Sequence, residues 1–241
     1  MSESLLHRVR RADTSRLETA VEYAAMGWPV CPGAEAGGTG GRHLRQGLAP
    51  RGTARTAWGA ARETGRACSC DRIGCPAPGA HPISPAWQIE ASDDPAEVAR
   101  WWRDSPSASI ILVTGRVFDV LDVPAAAGSL ALGAMARDGA VPGPVALTSD
   151  GRALFFVATR GAPADESEWW SCHLDCEPGT YETVTGLRWH TRDSFVVGPA
   201  SRRGPLPAPG WLRDPKDYPL PDALRLLGYL ADACDEVCGD G

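Results

Sequence analysis

The run Val117-Phe118-Asp119-Val120-Leu121-Asp122-Val123-Pro124 constrains the fold more than any other stretch of this chain. Branched apolar residues flank both aspartates, the pattern of a strand buried on both faces in the middle of a sheet. A carboxylate carried into such a place needs a counter-charge, a metal or water, because burying it alone is costly. What surrounds Asp119 and Asp122 therefore decides what this strand is for.

Helical and extended signals alternate around that strand. Asp13-Thr14-Ser15 offers an N-cap to a helix with Leu17, Val21, Ala24 and Ala25 on one face, closed by Gly27. Trp28–Pro32 reads as a short strand. Asp94-Pro95 opens a second helix through Val98, Trp101 and Trp102 to Asp104, with a capping side chain before a proline in the first turn. Ser109–Thr114 and Val117–Val123 read as strands joined by Gly115-Arg116, and Ala125–Arg137 as a helix. Asp150-Gly151 between Val145–Thr148 and Ala153–Ala158 signals a hairpin. Thr180–Thr185, Leu187–His190 and Ser194–Val197 read as further strands. The proline-rich Pro205–Pro221 reads as a connector. Asp222–Val237 reads as a closing helix with Leu224, Leu227, Leu230 and Ala231 on one face. The order gives an α+β fold with a mostly non-parallel sheet.

Composition excludes some functions. With 241 residues, 43% apolar and 22% charged, the chain is an ordinary globular one. No apolar run reaches membrane-span length and the N-terminus lacks a signal-peptide core, so the expectation is a cytoplasmic protein with no membrane partner. A net charge of −6, from 24 basic and 30 acidic residues, argues against strong non-specific DNA binding. Local arginine clusters at 42–55 and 202–203 leave room for a patch.

The cysteines carry the strongest chemical signal. Cys68, Cys70, Cys75 and His81 fall within fourteen residues, with Gly and Pro to turn the backbone. Three thiolates and an imidazole at this spacing suit a tetrahedral zinc ion with all four positions filled, which makes the site structural and not catalytic. Cys172/Cys176 and Cys234/Cys238 could form a second site if the two pairs met; the alternative is plain thiols. Cys31 reads as a small core residue. Trp101-Trp102 and Trp169-Trp170 could stack bases, but neighbours on a helix diverge, so one of each pair is expected in the core.

These elements together resemble the bifunctional primase-polymerase domains of the archaeo-eukaryotic primase superfamily. The resemblance rests on Val21–Val30, on Asp94–Trp102 with the strand ending Thr114-Gly115, and on Leu121-Asp122-Val123. It continues through Ser149-Asp150-Gly151-Arg152-Ala153-Leu154-Phe155-Phe156 and Phe195–Ser201. It spans roughly residues 15–202 in the expected order. It implies a core of an αβ unit packed against an RRM-like unit, with the active-site cleft between them. It also implies two divalent metals, held by paired aspartates and a third carboxylate, that clamp the oxygens of nucleotidyl transfer.

The departures from that pattern concern the site itself. Active members carry two aspartates two residues apart; here Asp122 is followed by Pro124. Asp119 lies three residues away and points to the opposite face of a regular strand. Ala153 stands where the family has a nucleotide-contacting His, although Arg152 is kept. Aligned from Phe195–Ser201, the third acidic position falls near Arg188, with Asp193 close but out of register. The resemblance thus implies a degenerate site in which Asp122 is a remnant, Asp119 and Asp193 are weak substitutes, and Arg152 and Arg188 are candidate nucleotide contacts. Arg188 is expected to fill the space of the missing metals and pair with Asp122; the alternative is a solvated Asp122 at the cleft edge. Magnesium or manganese is not expected.

The domain reading is an arm at 1–12, a primase-polymerase-like domain at 13–204 and a connector with a C-terminal helix at 205–241. The domain contains a flexible insertion at 33–66 and a zinc knuckle at 68–81. Three functions follow: a degenerate module that binds nucleotide, nucleic acid or a partner protein; an active nucleotidyltransferase using Asp119, Asp122 and Asp193 brought together by a bulge; or a zinc-stapled interaction protein with an empty cleft. No Walker-type glycine loop is present.

Overall fold

The computed structural model describes residues 15–35, 68–70, 72, 74–159, 186–201 and 210–238. The arm at 1–12, most of the insertion, the strand expected at Thr180–Thr185, and Trp169, Trp170, Cys172, Cys176, Arg202 and Arg203 lie outside the described residues. In chain order the elements are α1 (Arg16–Ala25), β1 (Val30–Gly33), α2 (Trp87–Glu90), α3 (Pro95–Asp104), β2 (Ser109–Val113), β3 (Phe118–Pro124) and α4 (Ala125–Asp138). They continue with β4 (Val145–Leu147), β5 (Arg152–Ala158), β6 (Arg188–His190), β7 (Phe195–Val197), β8 (Gly210–Arg213) and α5 (Ala223–Cys238). The protein is mixed α and β, with antiparallel sheets and a C-terminal helix.

Local chemistry sets the helix starts. Ser15 and Glu18 form a reciprocal capping box on α1. Asp94 accepts from the Ala96 N–H, with Pro95 in the first turn of α3. Pro124 ends β3 and caps α4 in one residue, and Gly139 stops α4 in a left-handed conformation.

The strands form two sheets, one in the order β1-β2-β7 and one in the order β6-β3-β5-β4-β8. The neighbours β2 and β3 belong to different sheets, as do β6 and β7. With the step from β7 to β8, the chain crosses between the sheets three times, and the β2–β3 and β6–β7 crossings touch. Thr114 Oγ1 donates to Thr191 O at 2.5 Å, and the Thr114 N–H to Ser194 O at 3.0 Å. Gly115 is obligatory there. Its φ is +82°, and a Cβ would lie 2.2 Å from the Arg192 Cα.

Side-chain alternation divides the core into layers. On one face of the large sheet, Phe118, Val120, Leu154, Phe156 and Ala146 pack with Ala20 and Tyr23 of α1, Val98 and Trp102 of α3, and Ile110 and Leu112 of the small sheet. Trp28 is the centre of this layer, stacked 5.3 Å from Phe156 and 5.9 Å from Tyr23. On the other face, Leu121, Val123, Phe155 and Val157 pack against α4 and α5. The outer face of the small sheet, with Cys31, Ile111 and Val113, is covered by Ala80, Trp87 and Ala91.

Two expectations need correction at the C-terminus. The stretch read as a connector contains β8, which pairs with β4. The buried stripe of α5 is Ala223, Leu226, Leu230, Ala233 and Cys234, while Leu224 is 52% exposed. Either stripe satisfies a 3.6-residue period, and only docking on the sheet selects between them. Of the adjacent tryptophans, Trp102 is buried and Trp101 half-buried. Among the described residues no helix is long and apolar enough to cross a membrane.

Candidate functional site

Asp122 sits at the sheet centre, between β5 and β6, on the face shared with Val120 and Phe118. The β3–β5 ladder runs in unbroken register from Phe118↔Ala158 to Pro124↔Arg152. Period-2 alternation thus places Arg152 on the same face as Asp122, one side-chain pair along. Its Nε donates to Asp122 Oδ1 at 2.6 Å, and its Nη2 donates to Asp122 O at 2.9 Å and Gly186 O at 2.7 Å. Three acceptors fix the guanidinium, in the charge-assisted geometry that arginine serves best. On the β6 side, His190 Nε2 lies 3.5 Å from Asp122 Oδ2, and its Nδ1 is 2.9 Å from Ser194 Oγ. Both carboxylate oxygens of Asp122 therefore face cationic or donor-bearing side chains of this chain.

Arg152, and not Arg188, is the partner of Asp122. Arg188 is registered directly opposite Asp122 on β6 but is exposed, and among the described residues no ion pair joins the two. Register brings Cα atoms together; the space beside the carboxylate is already taken by Arg152 and His190. His190 and Ser194 were not singled out from the sequence. The available signal was spacing, since His190 is two residues beyond Arg188 and so shares its sheet face.

The remaining candidates do not converge. Asp119 is buried (4% exposed) in register with Val157, on the α4–α5 side of the sheet. Asp193 is exposed in the β6–β7 turn at φ 60°. No bulge interrupts β3 to bring these carboxylates together. Ala153 also lies on the sheet face opposite to Asp122, in register with Val123 and 2.7 Å from where a Gly128 Cβ would stand. At this end of β5 the side chain on the Asp122 face is Arg152.

Cys68, Cys70, Cys75 and His81 form the second constellation, with all four ligand atoms within 4.8 Å of one another. His81 Nε2 is 3.4 Å from both Cys68 Sγ and Cys75 Sγ. A tetrahedral ion at ordinary zinc–sulfur and zinc–nitrogen distances would hold such atoms about 3.6–3.8 Å apart. The His81 Nδ1–H donates to Pro82 O at 2.9 Å, which orients Nε2 with its lone pair toward the thiols. Burial opposes ionisation of Cys68, but the N–H groups of Cys70 and Gly79, with Cys70 and His81 side chains, outweigh it and bring its thiol down to about 6. The four residues lie close enough to bind a metal and are compatible with structural zinc. The segment is tied to the edge of β1 by Ala34 N–H to His81 O, Ile83 N–H to Pro32 O and Ser69 N–H to Glu35 O.

Of the other described cysteines, Cys31 and Cys234 are core residues and Cys238 is half-buried. Burial pushes the Cys31 thiol up to about 12 and the Cys234 thiol up to about 11. Cys238 Sγ lies 3.2 Å from where a Gly186 Cβ would stand, beside Pro124. Its proposed partners Cys172 and Cys176 lie outside the described residues.

Fold and site together define a mixed α/β protein with a carboxylate–guanidinium pair on the large sheet and a Cys₃His cluster tied to the edge of β1. The family model for the bifunctional DNA primase/polymerase N-terminal domain matches residues 20–223. The chain belongs to that family. No curated protein matches the sequence.

Proposed function

We propose that this protein is a primase-polymerase family member whose cleft binds without catalysing nucleotidyl transfer. The observation that carries this reading is the Arg152–Asp122 contact at 2.6 Å. Two-metal catalysis needs several carboxylates converging on adjacent ions. Here Asp122 is bonded by a guanidinium of its own chain, Pro124 replaces its expected companion, and among the described residues Asp119 is on the far face and Asp193 in an exposed turn. Arg152 stands in the place of metal charge, while Arg188 is exposed on the neighbouring strand and His190 lies half-buried beside Asp122. Such a site suits a phosphate-bearing ligand, a nucleotide or nucleic acid, held without a divalent ion; a protein partner in the cleft is the other binding mode.

In this reading the large sheet corresponds to the family's RRM-like unit, and the small sheet with α1 and α3 to its companion. The Cys₃His cluster is a structural zinc knuckle that fastens the segment before α2 to the β1 edge. Calorimetry with a nucleoside triphosphate, with and without manganese, together with a primer-synthesis assay, tests it. The expected result is binding unchanged by manganese and no primer product. Manganese-dependent binding with template-directed product would overturn it in favour of an active nucleotidyltransferase. No binding under either condition would favour an interaction protein with an empty cleft.

A further inference from the structure

A groove of about 590 Å³ opens beside the small sheet, away from the Asp122 cleft, and is lined by Trp87, Trp101, Ile83, Ile89, Glu90 and Glu97 among others. Two of its apolar side chains are displayed to solvent, Ile89 at 86% exposure and Ile83 at 52%. Large side chains exposed beside a concave surface are where recognition sites are found. The walls are held from beneath. Trp87 packs edge-on against Phe195 at 5.3 Å, and Val30 and Ser92 exchange backbone hydrogen bonds at 3.0 Å. Arg116 donates to the carbonyls of Gln88 and Ala91. Ile89 is thus presented outward by a fixed turn of helix, which lowers the ordering cost of binding.

We propose that this groove docks a segment of a partner protein that inserts an arginine or lysine flanked by apolar side chains. Tryptophan faces attract cations, and two carboxylates in the same groove supply the matching charge. Neither neighbouring arginine lines the groove. Arg116 is engaged with backbone carbonyls, and Arg100 pairs with Glu97 only at 3.8 Å from a side chain that is 67% exposed. A cation entering from a partner can displace so loose a contact. The carboxylates also select against nucleic acid, whose phosphates they repel. Ile83 and Ile89 then receive the apolar flanks of the inserted side chain, in the manner of an anchor residue with a surrounding seal.

The test is calorimetric titration of the full chain with a capped pentapeptide of sequence glycine-leucine-arginine-leucine-glycine, against the same peptide with glutamate in place of arginine. Saturable binding of the arginine peptide and none of the glutamate peptide is expected. Glu90→Gln/Glu97→Gln should weaken binding about tenfold, the loss of two partly exposed charge contacts. Ile89→Ser should weaken it too while leaving the unfolding midpoint unchanged, since the side chain packs on little. Equal binding of the two peptides, binding untouched by the double variant, or no saturable response at millimolar peptide would each overturn the proposal. So would self-association of the chain that Ile89→Ser abolishes, which would assign the groove to a second copy. None of these outcomes depends on the cleft, so the two readings stand or fall separately.

Discussion

The guanidinium of Arg152 lies 2.6 Å from the carboxylate of Asp122, joining diagonal positions on one face of two neighbouring strands of the large sheet. The pair is mostly enclosed, with 18% of the arginine side chain and 8% of the aspartate exposed. Removing one partner leaves the other charge desolvated, which is the expensive outcome for a pair of this kind. Arg152→Ala is expected to lower stability by about 3 kcal/mol, read as a fall in the urea midpoint. Adding Asp122→Asn should restore most of that loss.

The same pair governs metal binding. Pro124 is registered opposite Arg152, so a carboxylate placed at 124 alone would meet the guanidinium. Pro124→Asp is expected to bind manganese no better than the native chain. Pro124→Asp/Arg152→Ala leaves two carboxylates on one face with no resident cation and should show calorimetric manganese binding. Equal behaviour of the two variants would remove the claim that Arg152 stands in for metal charge.

The Cys₃His cluster should carry one zinc per chain, measurable by elemental analysis. Cobalt substitution should give the absorption of a tetrahedral thiolate site. Stripping the metal, or Cys70→Ser, should accelerate hydrogen exchange at the amides of Ala34 and Ile83, which bond across to the cluster segment and β1. Exchange in β3 should change little, because it lies in the other sheet.

Gly115→Ala is expected to cost more than about 3 kcal/mol, since it combines a left-handed backbone with a Cβ driven into the backbone of Arg192. The fall should appear in thermal unfolding. It should also disturb His190 and Ser194, whose turn leans on this crossing.

Burial raises the Cys31 thiol from 9.0 to about 12. A group raised on folding contributes stability that is present below its unfolded value and lost as pH rises through the folded one. Stability should therefore fall as pH climbs from about 9 toward 12, and Cys31→Ala should flatten that slope in urea titrations at successive pH. Thiol reagents at pH 8 should spare Cys31 until the chain unfolds.

Much of this architecture is legible in the residues. The helix starts follow from Ser15 with Glu18 and from Asp94-Pro95, because capping is local chemistry. The β4–β5 hairpin follows from Asp150-Gly151. The opposite facing of Asp119 and Asp122 follows from the two-residue period of a strand, and the Cys₃His grouping from spacing within one short segment. What tertiary structure decided is which groups meet across strands. Arg188 and Arg152 both reach the face of Asp122, from 66 and 30 residues away by their numbers in the chain. Only the assembled sheet, with His190 beside Asp122 and the Gly186 carbonyl poised to accept, gives Arg152 the full set of bonds. Alternation fixes the face on which a side chain lies, whereas its partner depends on which strands become neighbours and on the space already filled between them.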